Sequence, residues 1–413
     1  MPYISSYDQV STVRYSELPD GSRRVLAVDA LRGFDLFWIV GGGAIVGALK
    51  NFTGSDFLNG LRTQLEHVEW EGFRFYDLIF PLFVFIAGVS AVFSLTKARE
   101  QGGEARAARR LLGRGLLLFL VGVFYAGGFT NGFEGVRWLG VLQRIAISYT
   151  AAGILFLYIP WKFLIGVAAA ILTGYWLLLT QSQVKNIQLD PVALTTLAEK
   201  SKLTNASPAV LFAKTSQTIK GPMQPGLNVV NHFDFQHLPG RKYDTYYDPE
   251  GILSTFPAVV TCLLGVFAGL ILAHPHLAIG GKTSWLILLG FGCLIGGFSW
   301  GFVFPIVKKL WTSSFVLVAG GFSFLLLAAF HHVVDVLKWR RWLAPFIWVG
   351  TNALPVYLIN SILPGRKIVD RVLGGPVAGS LGSGGPLLLT ASSLLVMFLF
   401  ARFLYKRGIF FRI

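Results

Sequence analysis

Charge is what this sequence has least of. Acidic and basic residues together make up 14% of its 413 positions, against roughly 25% in an ordinary globular chain, which excludes a disordered or ordinary soluble polypeptide. Cysteine is nearly absent: Cys262 and Cys293 are the two that occur. Both lie in apolar stretches, so neither a disulfide framework nor a cysteine metal site is supported. Also missing are a Walker A loop, a Gly-x-Ser-x-Gly elbow and a His-Glu-x-x-His pair, and with them the common templates of soluble enzymes. What fills the chain instead is apolar, with 54% hydrophobic residues and a mean hydropathy of +0.60. The 36 Lys+Arg against 21 Asp+Glu sit mostly at the ends of apolar runs, so the partner of the excess positive charge is a membrane surface and not nucleic acid.

A helix rises 1.5 Å per residue and a hydrocarbon core is about 30 Å thick, so runs of about 20 apolar residues read as membrane spans. About ten are expected, near 25–49, 75–96, 108–128, 138–159, 162–180, 252–273, 284–304, 312–333, 342–362 and 385–405. The expected fold class is all-α, a polytopic integral membrane protein with one long extracytoplasmic loop. Residues 1–24 and 406–413 read as cytoplasmic tails, 25–180 as spans one to five with a histidine-bearing outer loop, 181–251 as the long loop or a lid, and 252–405 as spans six to ten. The first apolar run follows a polar stretch and carries charges, so it reads as a retained span and not as a cleaved signal peptide. Basic residues between spans fall about two to one on the side of the amino terminus once the long loop is set aside, which puts both termini inside. Arg106, Arg109, Arg110 and Arg114 share a helix face and read first as an anchor for anionic headgroups. Small-xxx-small spacings at Gly265/Gly269, Gly292/Gly296 and Gly297/Gly301 allow close helix packing.

Ionisable groups inside spans are costly and are candidates for function. Asp29, Arg32 and Asp35 form a stripe in the first span, where mutual neutralisation is as good an account as function; the fourth carries Gln143 and Arg144, the second begins with Asp77, and the ninth holds Asn352. Arg144 requires an acidic partner that the sequence does not name. The segment before the second span places His67 among Glu66, Glu69 and Glu71 at the outer edge of the membrane. Carboxylates favour the protonated imidazole and burial opposes it, the balance from which a general base is made. Taken alone, an interfacial histidine is more often structural. No histidine has metal-ligand spacing.

At this point the residues resemble the heparan-α-glucosaminide N-acetyltransferase family. The opening stretch from Arg24 to Phe34 resembles its first signature; His67, Trp70, Gly72, Asp77 and the run Leu78–Gly88 resemble its next block. Gly140–Ala146, Asp248–Thr255, Lys309–Phe315 and Gly350–Leu354 follow in family order. Two positions depart from it: Val40-Gly41-Gly42-Gly43 stands where the family often has an asparagine, and Val307 replaces another.

The resemblance implies an acyl-CoA-dependent transferase that takes an acetyl group from cytoplasmic acetyl-CoA to an amine or hydroxyl of an extracytoplasmic sugar or glycan, with no metal. It implies His67 as the active histidine, acting as base or as acetyl-carrying nucleophile, with Asp77, Glu66 or Glu69 orienting it. Arg32, Gln143, Arg144, Trp311, Ser313 and Asn352 are the expected acetyl-CoA and oxyanion contacts; Trp70, Asp248, Glu250 and Tyr247 are the expected acceptor contacts. CoA phosphates would be held by inner basic groups while the thioester reaches towards His67. Expected partners are acyl-CoA, a sugar or glycan, and the lipid bilayer of a bacterial inner membrane, with a homodimer considered and nucleic acid excluded. The rival from another class is a transporter or flippase of a glycan intermediate, for which inverted repeats would be the signal.

Overall fold

A computed structural model describes residues 25–203 and 206–410. The expected amino-terminal tail, with Arg14, Arg23 and Arg24, and the last three residues, with Arg412, lie outside the described residues. Helix α1 (Leu26–Phe37) passes through a π-helical turn, Trp38–Gly42, into α2 (Gly43–Thr53), and a short α3 (Asp56–Gln64) leads to α4 (Phe75–Tyr125). Helices α5 (Val141–Tyr158) and α6 (Trp161–Gln181) follow. A cap comes next: β1 (Gln183–Lys185), α7 (Pro191–Lys200), α8 (Pro208–Lys214), β2 (Thr218–Lys220) and α9 (Val229–His237). The second set comprises α10 (Thr255–Ala273), α11 (Ile279–Gly301), α12 (Ser313–His331), α13 (Ala344–Gly350), α14 (Ala353–Ile362), α15 (Gly365–Leu373), α16 (Pro376–Ser380) and α17 (Gly384–Lys406).

The protein is an all-α polytopic membrane protein; among the described residues eight helical segments are long and apolar enough to cross a bilayer. Two expected spans, 75–96 and 108–128, form the single 51-residue element α4, which folds back at Gly102 and Gly103. Gly103 has φ +76°, a conformation glycine adopts without steric cost, and the two arms pack Leu95 and Ala98 with Ala107 and Leu111. The expected run at 342–362 is instead two short helices, α13 and α14, interrupted at Thr351 and Asn352. Pro355 explains the break, because it has no N–H to give the Thr351 carbonyl four residues back.

The helices approach closely through reciprocal glycines. A Cβ on Gly88 would lie 1.9 Å from the Cys262 carbonyl oxygen and one on Gly265 1.9 Å from that of Phe85, so α4 and α10 touch backbone to backbone. Gly33 and Gly350 do the same for α1 and α13, where a Cβ would meet the Phe346 and Asp29 carbonyls. Of the expected glycine pairs, Gly269 joins Gly265 on α4 and Gly297 packs on Val318 of α12, while Gly292 faces open space.

The cap has its own small core of Ile187, Leu189, Leu194, Leu211, Phe212 and Tyr247, below an antiparallel pairing of β1 with β2. It is seated on one end of the helices by Val230, which packs with Tyr175, Leu179, Phe304 and Leu310. The Trp70 indole fixes the same end by donating to the Met223 carbonyl at 2.7 Å.

Candidate active site

His67 lies in the irregular segment between α3 and α4, and the start of α4 holds it. Asp77, in the first turn of that helix, accepts from the backbone N–H of Arg74 at 3.1 Å and of Val68 at 3.3 Å through Oδ2, satisfying donors that a helix start leaves open. Its Oδ1 is thereby turned to Nδ1 of His67 at 2.8 Å. Asp77 is 1% exposed and the imidazole 53% exposed, so the anchored partner is buried and the working edge is open. Lys308 completes the group, its Nζ 3.3 Å from Asp77 Oδ1 and 3.0 Å from His67 Nδ1. Burial lowers the pKa of the Lys308 ammonium, partly opposed by Asp77. Lys308 reaches the site because its loop is tied to the segment after His67: Gly72 donates to the Ile306 carbonyl at 2.9 Å, and Thr312 clasps the loop through Pro305 and Val307.

A cavity of about 1040 Å³ opens at this group and runs along the first arm of α4. That arm contributes Tyr76, Phe80, Phe83, Ala87, Ser90, Ser94, Lys97 and Gln101 to its wall, a stripe of three- and four-residue steps on one helix face. The 25 steps from Tyr76 to Gln101 rise about 37 Å at 1.5 Å each, so the cavity follows a path at least as long as a bilayer's hydrocarbon core is thick. One end has His67, Trp70, Arg137, Tyr243, Glu250 and Lys308; the other has Lys97, Gln101, Arg110 and Arg114. Between them Arg32 donates to Ser90 Oγ at 2.6 Å and lies 3.4 Å from Asp29.

Beside the histidine end, Arg137 forks onto Asp248 at 2.9 and 2.7 Å and reaches Glu250 at 2.6 Å, with the Tyr243 ring 5.1 Å from its guanidinium carbon. Burial opposes the Arg137 charge, but the two carboxylates outweigh it and hold the guanidinium pKa above its ordinary value. Arg144, 1% exposed, has no ion pair with a carboxylate among the described residues. It donates to the Pro249 and Gly251 carbonyls and to Ser254 Oγ, and its guanidinium carbon lies 4.9 Å from the Trp311 ring centre.

The structure therefore brings His67, Asp77, Trp70, Arg32, Trp311 and Glu250 to one cavity and leaves other expected site residues off its wall. Glu66 turns away to Arg62 at 3.2 Å and Glu69 is exposed. Gln143 donates to the Arg137 carbonyl, Ser313 to that of Leu172, and Asp248 is spent on Arg137. Asn352 is buried at the break before α14, and Tyr247 belongs to the cap's core, while Tyr243, four residues earlier, lines the cavity. Arg110 and Arg114 line the wall, while Arg106 and Arg109 do not. Lys308, Arg137, Ser90 and Tyr357 line the cavity without having been among the expected contacts. The only signal for Lys308 was its place beside the departing Val307, and Arg137 had none beyond a charge near a span.

Comparison with known proteins bears out the resemblance. Residues 24–206 match the family model described as heparan-alpha-glucosaminide N-acetyltransferase, catalytic. The chain is 27% identical over 395 residues to the heparan-alpha-glucosaminide N-acetyltransferase of Homo sapiens, covering 86% of this chain and 55% of that protein. It is 26% identical over 382 residues to the protein of that name from Mus musculus, with 83% and 54% covered. The chain thus spans about half the length of the curated relatives it matches.

Proposed function

We propose that this protein is a membrane-embedded acetyltransferase that takes an acetyl group from acetyl-CoA at the basic end of the cavity and delivers it to an amine or hydroxyl of a sugar at the His67 end. The observation that carries this reading is the single cavity with an acid–base group at one end and a cationic mouth at the other. Lys97, Arg110 and Arg114 supply the charge that binds the phosphates of CoA. The middle, where Phe83, Ala87 and Ile145 stand beside Arg32 and Ser90, suits the pantetheine arm, whose chain is uncharged and carries polar amides. Both relatives named above carry N-acetyltransferase in their names, which supports acyl transfer over transport alone.

In this reading Asp77 accepts from Nδ1–H of His67 and leaves the Nε2 lone pair for the acceptor's proton. The acceptor nitrogen or oxygen attacks the thioester carbonyl, the C–S bond breaks, and the proton held by His67 passes to the departing thiolate. Lys308, beside the imidazole, stabilises the negative charge that builds on the carbonyl oxygen. Trp70 and Tyr243 present ring surfaces for a sugar. In this reading the cap end lies outside the cell membrane and the basic end, with both termini, faces the cytoplasm, an orientation supported by the distribution of basic residues. The cap at 181–251 then separates two sets of spans that share the cavity.

The test is acetyl-CoA binding by calorimetry. Arg110→Ala together with Arg114→Ala should weaken binding at least tenfold, each lost charge-assisted contact costing about 1.5–3 kcal/mol. His67→Ala should leave binding unchanged within twofold. Equal affinity in wild type and the double variant would remove the basic end from the donor site.

A further inference from the structure

One wall of the cavity is formed by the second arm of α4 on one side and α14 on the other. Arg110, Arg114 and Leu118 face the cavity from the second arm of α4, and Tyr125 continues that row seven residues on, two turns along the same face. Across from Tyr125 stands α14, which packs chiefly on α1, α13 and α17. What joins the two sides is a side-chain staple. The Tyr125 and Tyr357 rings stack with centroids 4.9 Å apart, and the Tyr125 and Ser361 hydroxyls are 2.9 Å apart. Tyr357 itself lines the cavity. Both lips of the seam are apolar and exposed: Leu120 and Phe124 on one, Ile359 and Ile362 on the other. On membrane-embedded helices such residues face hydrocarbon. The end of the seam nearest the cap is cationic, since Arg241, exposed, reaches from the cap to the Ala126 carbonyl at 3.2 Å, and Lys242 follows it.

We infer that the acceptor is an amphiphile, a sugar joined through phosphate to a hydrocarbon chain, that enters sideways between α14 and the second arm of α4. Its chain stays in the bilayer against Leu120, Phe124, Ile359 and Ile362, its phosphate meets Arg241 and Lys242, and its sugar lies in the cavity that His67 serves. A water-soluble glycan would enter beside Tyr243 and would use neither the apolar lips nor the staple. The inference rests on the transferase reading and adds the class of acceptor to it.

The experiment compares two acceptors in proteoliposomes supplied with acetyl-CoA: glucosamine 1-phosphate, and the same phosphate esterified with a long isoprenoid alcohol. The chain-bearing acceptor should have a kcat/KM about tenfold higher or more, since its methylenes are held by apolar burial. Ser361→Trp, which wedges bulk into the staple, should bring the ratio of the two acceptors towards one. Tyr125→Phe, which keeps the ring stack and removes the hydroxyl, should raise turnover of the chain-bearing acceptor alone. Equal use of both acceptors by wild type, or parallel changes in both variants, overturns lateral entry. Transfer to neither acceptor while acetyl-CoA still binds overturns the transferase reading itself, and lateral entry with it.

Discussion

At the residue scale the site turns on one carboxylate with two duties. Asp77 caps the start of α4 with Oδ2 and holds His67 with Oδ1, so the helix that frames the cavity also fixes the imidazole. Asp77→Asn keeps an acceptor for the cap but removes the charge that favours a protonated imidazole during turnover. Acetyl transfer should fall about 100-fold or more, a typical share for an acid–base group, with acetyl-CoA affinity unchanged; a fall of less than threefold would show that His67 needs no such partner. The sequence carried His67 and Asp77 because ten residues separate them across one helix start. It offered Glu66 and Glu69 as equal alternatives because proximity in sequence does not say which way a side chain turns in an irregular segment. Lys308 lies 241 residues from His67, and only the folded loop clasped by Thr312 brings it there.

Asp234 illustrates a different residue-scale effect. Its Oδ1 accepts from Ile252 N–H at 2.9 Å, joining α9 to the entry of α10, while burial pushes its pKa up to about 6. A carboxyl whose folded value is raised contributes stability that is fully present below its unfolded value near 4 and is lost as pH rises through about 6. At 1.36 kcal/mol per unit the change is at most roughly 3 kcal/mol. Hydrogen exchange of cap amides, corrected for intrinsic rates, should therefore show stronger protection at pH 4.5 than at pH 7, and Asp234→Asn should flatten the difference. Protection that increases from pH 4.5 to pH 7 would contradict this assignment.

At the element scale, apolar length was legible and continuity was not. The runs at 162–180, 252–273 and 385–405 correspond to α6, α10 and α17 with small shifts of boundary, because hydropathy is averaged over a whole span. The breaks depend on single residues: Gly102 and Gly103 turn α4 back on itself, and Pro355 with the buried Asn352 divides the run at 342–362. Gly41 and Gly42, where the resembled family often has an asparagine, lie in the π-helical turn Trp38–Gly42 and Gly43 opens α2; the Gly42 position is closed by the Phe37 and Trp38 rings. Close helix packing gives a clear prediction. Gly265→Ala places a methyl 1.9 Å from the Phe85 carbonyl oxygen, so α4 and α10 must separate. Overpacking of this kind costs about 1–3 kcal/mol, and thermal unfolding in detergent should show a lower Tm. Gly292→Ala, facing open space, should leave the Tm unchanged, and equal Tm values for the two variants would contradict the packing.

At the scale of the whole molecule, the fold converts a membrane-length helix into the wall of one long cavity. The stripe from Tyr76 to Gln101 links the group of His67, Asp77 and Lys308 to a cationic mouth, an arrangement that neither end specifies alone. The sequence supplied the two ends: a histidine at one edge and arginines at the other. It could not show that Arg110 and Arg114 face inward while Arg106 and Arg109 do not, since all four share a broad helix face and the difference is set by the fold-back at Gly103. The most direct measurement of the central claim is release of free CoA thiol from acetyl-CoA by the purified chain in proteoliposomes, with and without an amino-sugar acceptor, for wild type and His67→Ala. The account predicts acceptor-dependent release that falls about 100-fold or more in the variant. Release that is absent in wild type, or undiminished in His67→Ala, would contradict it.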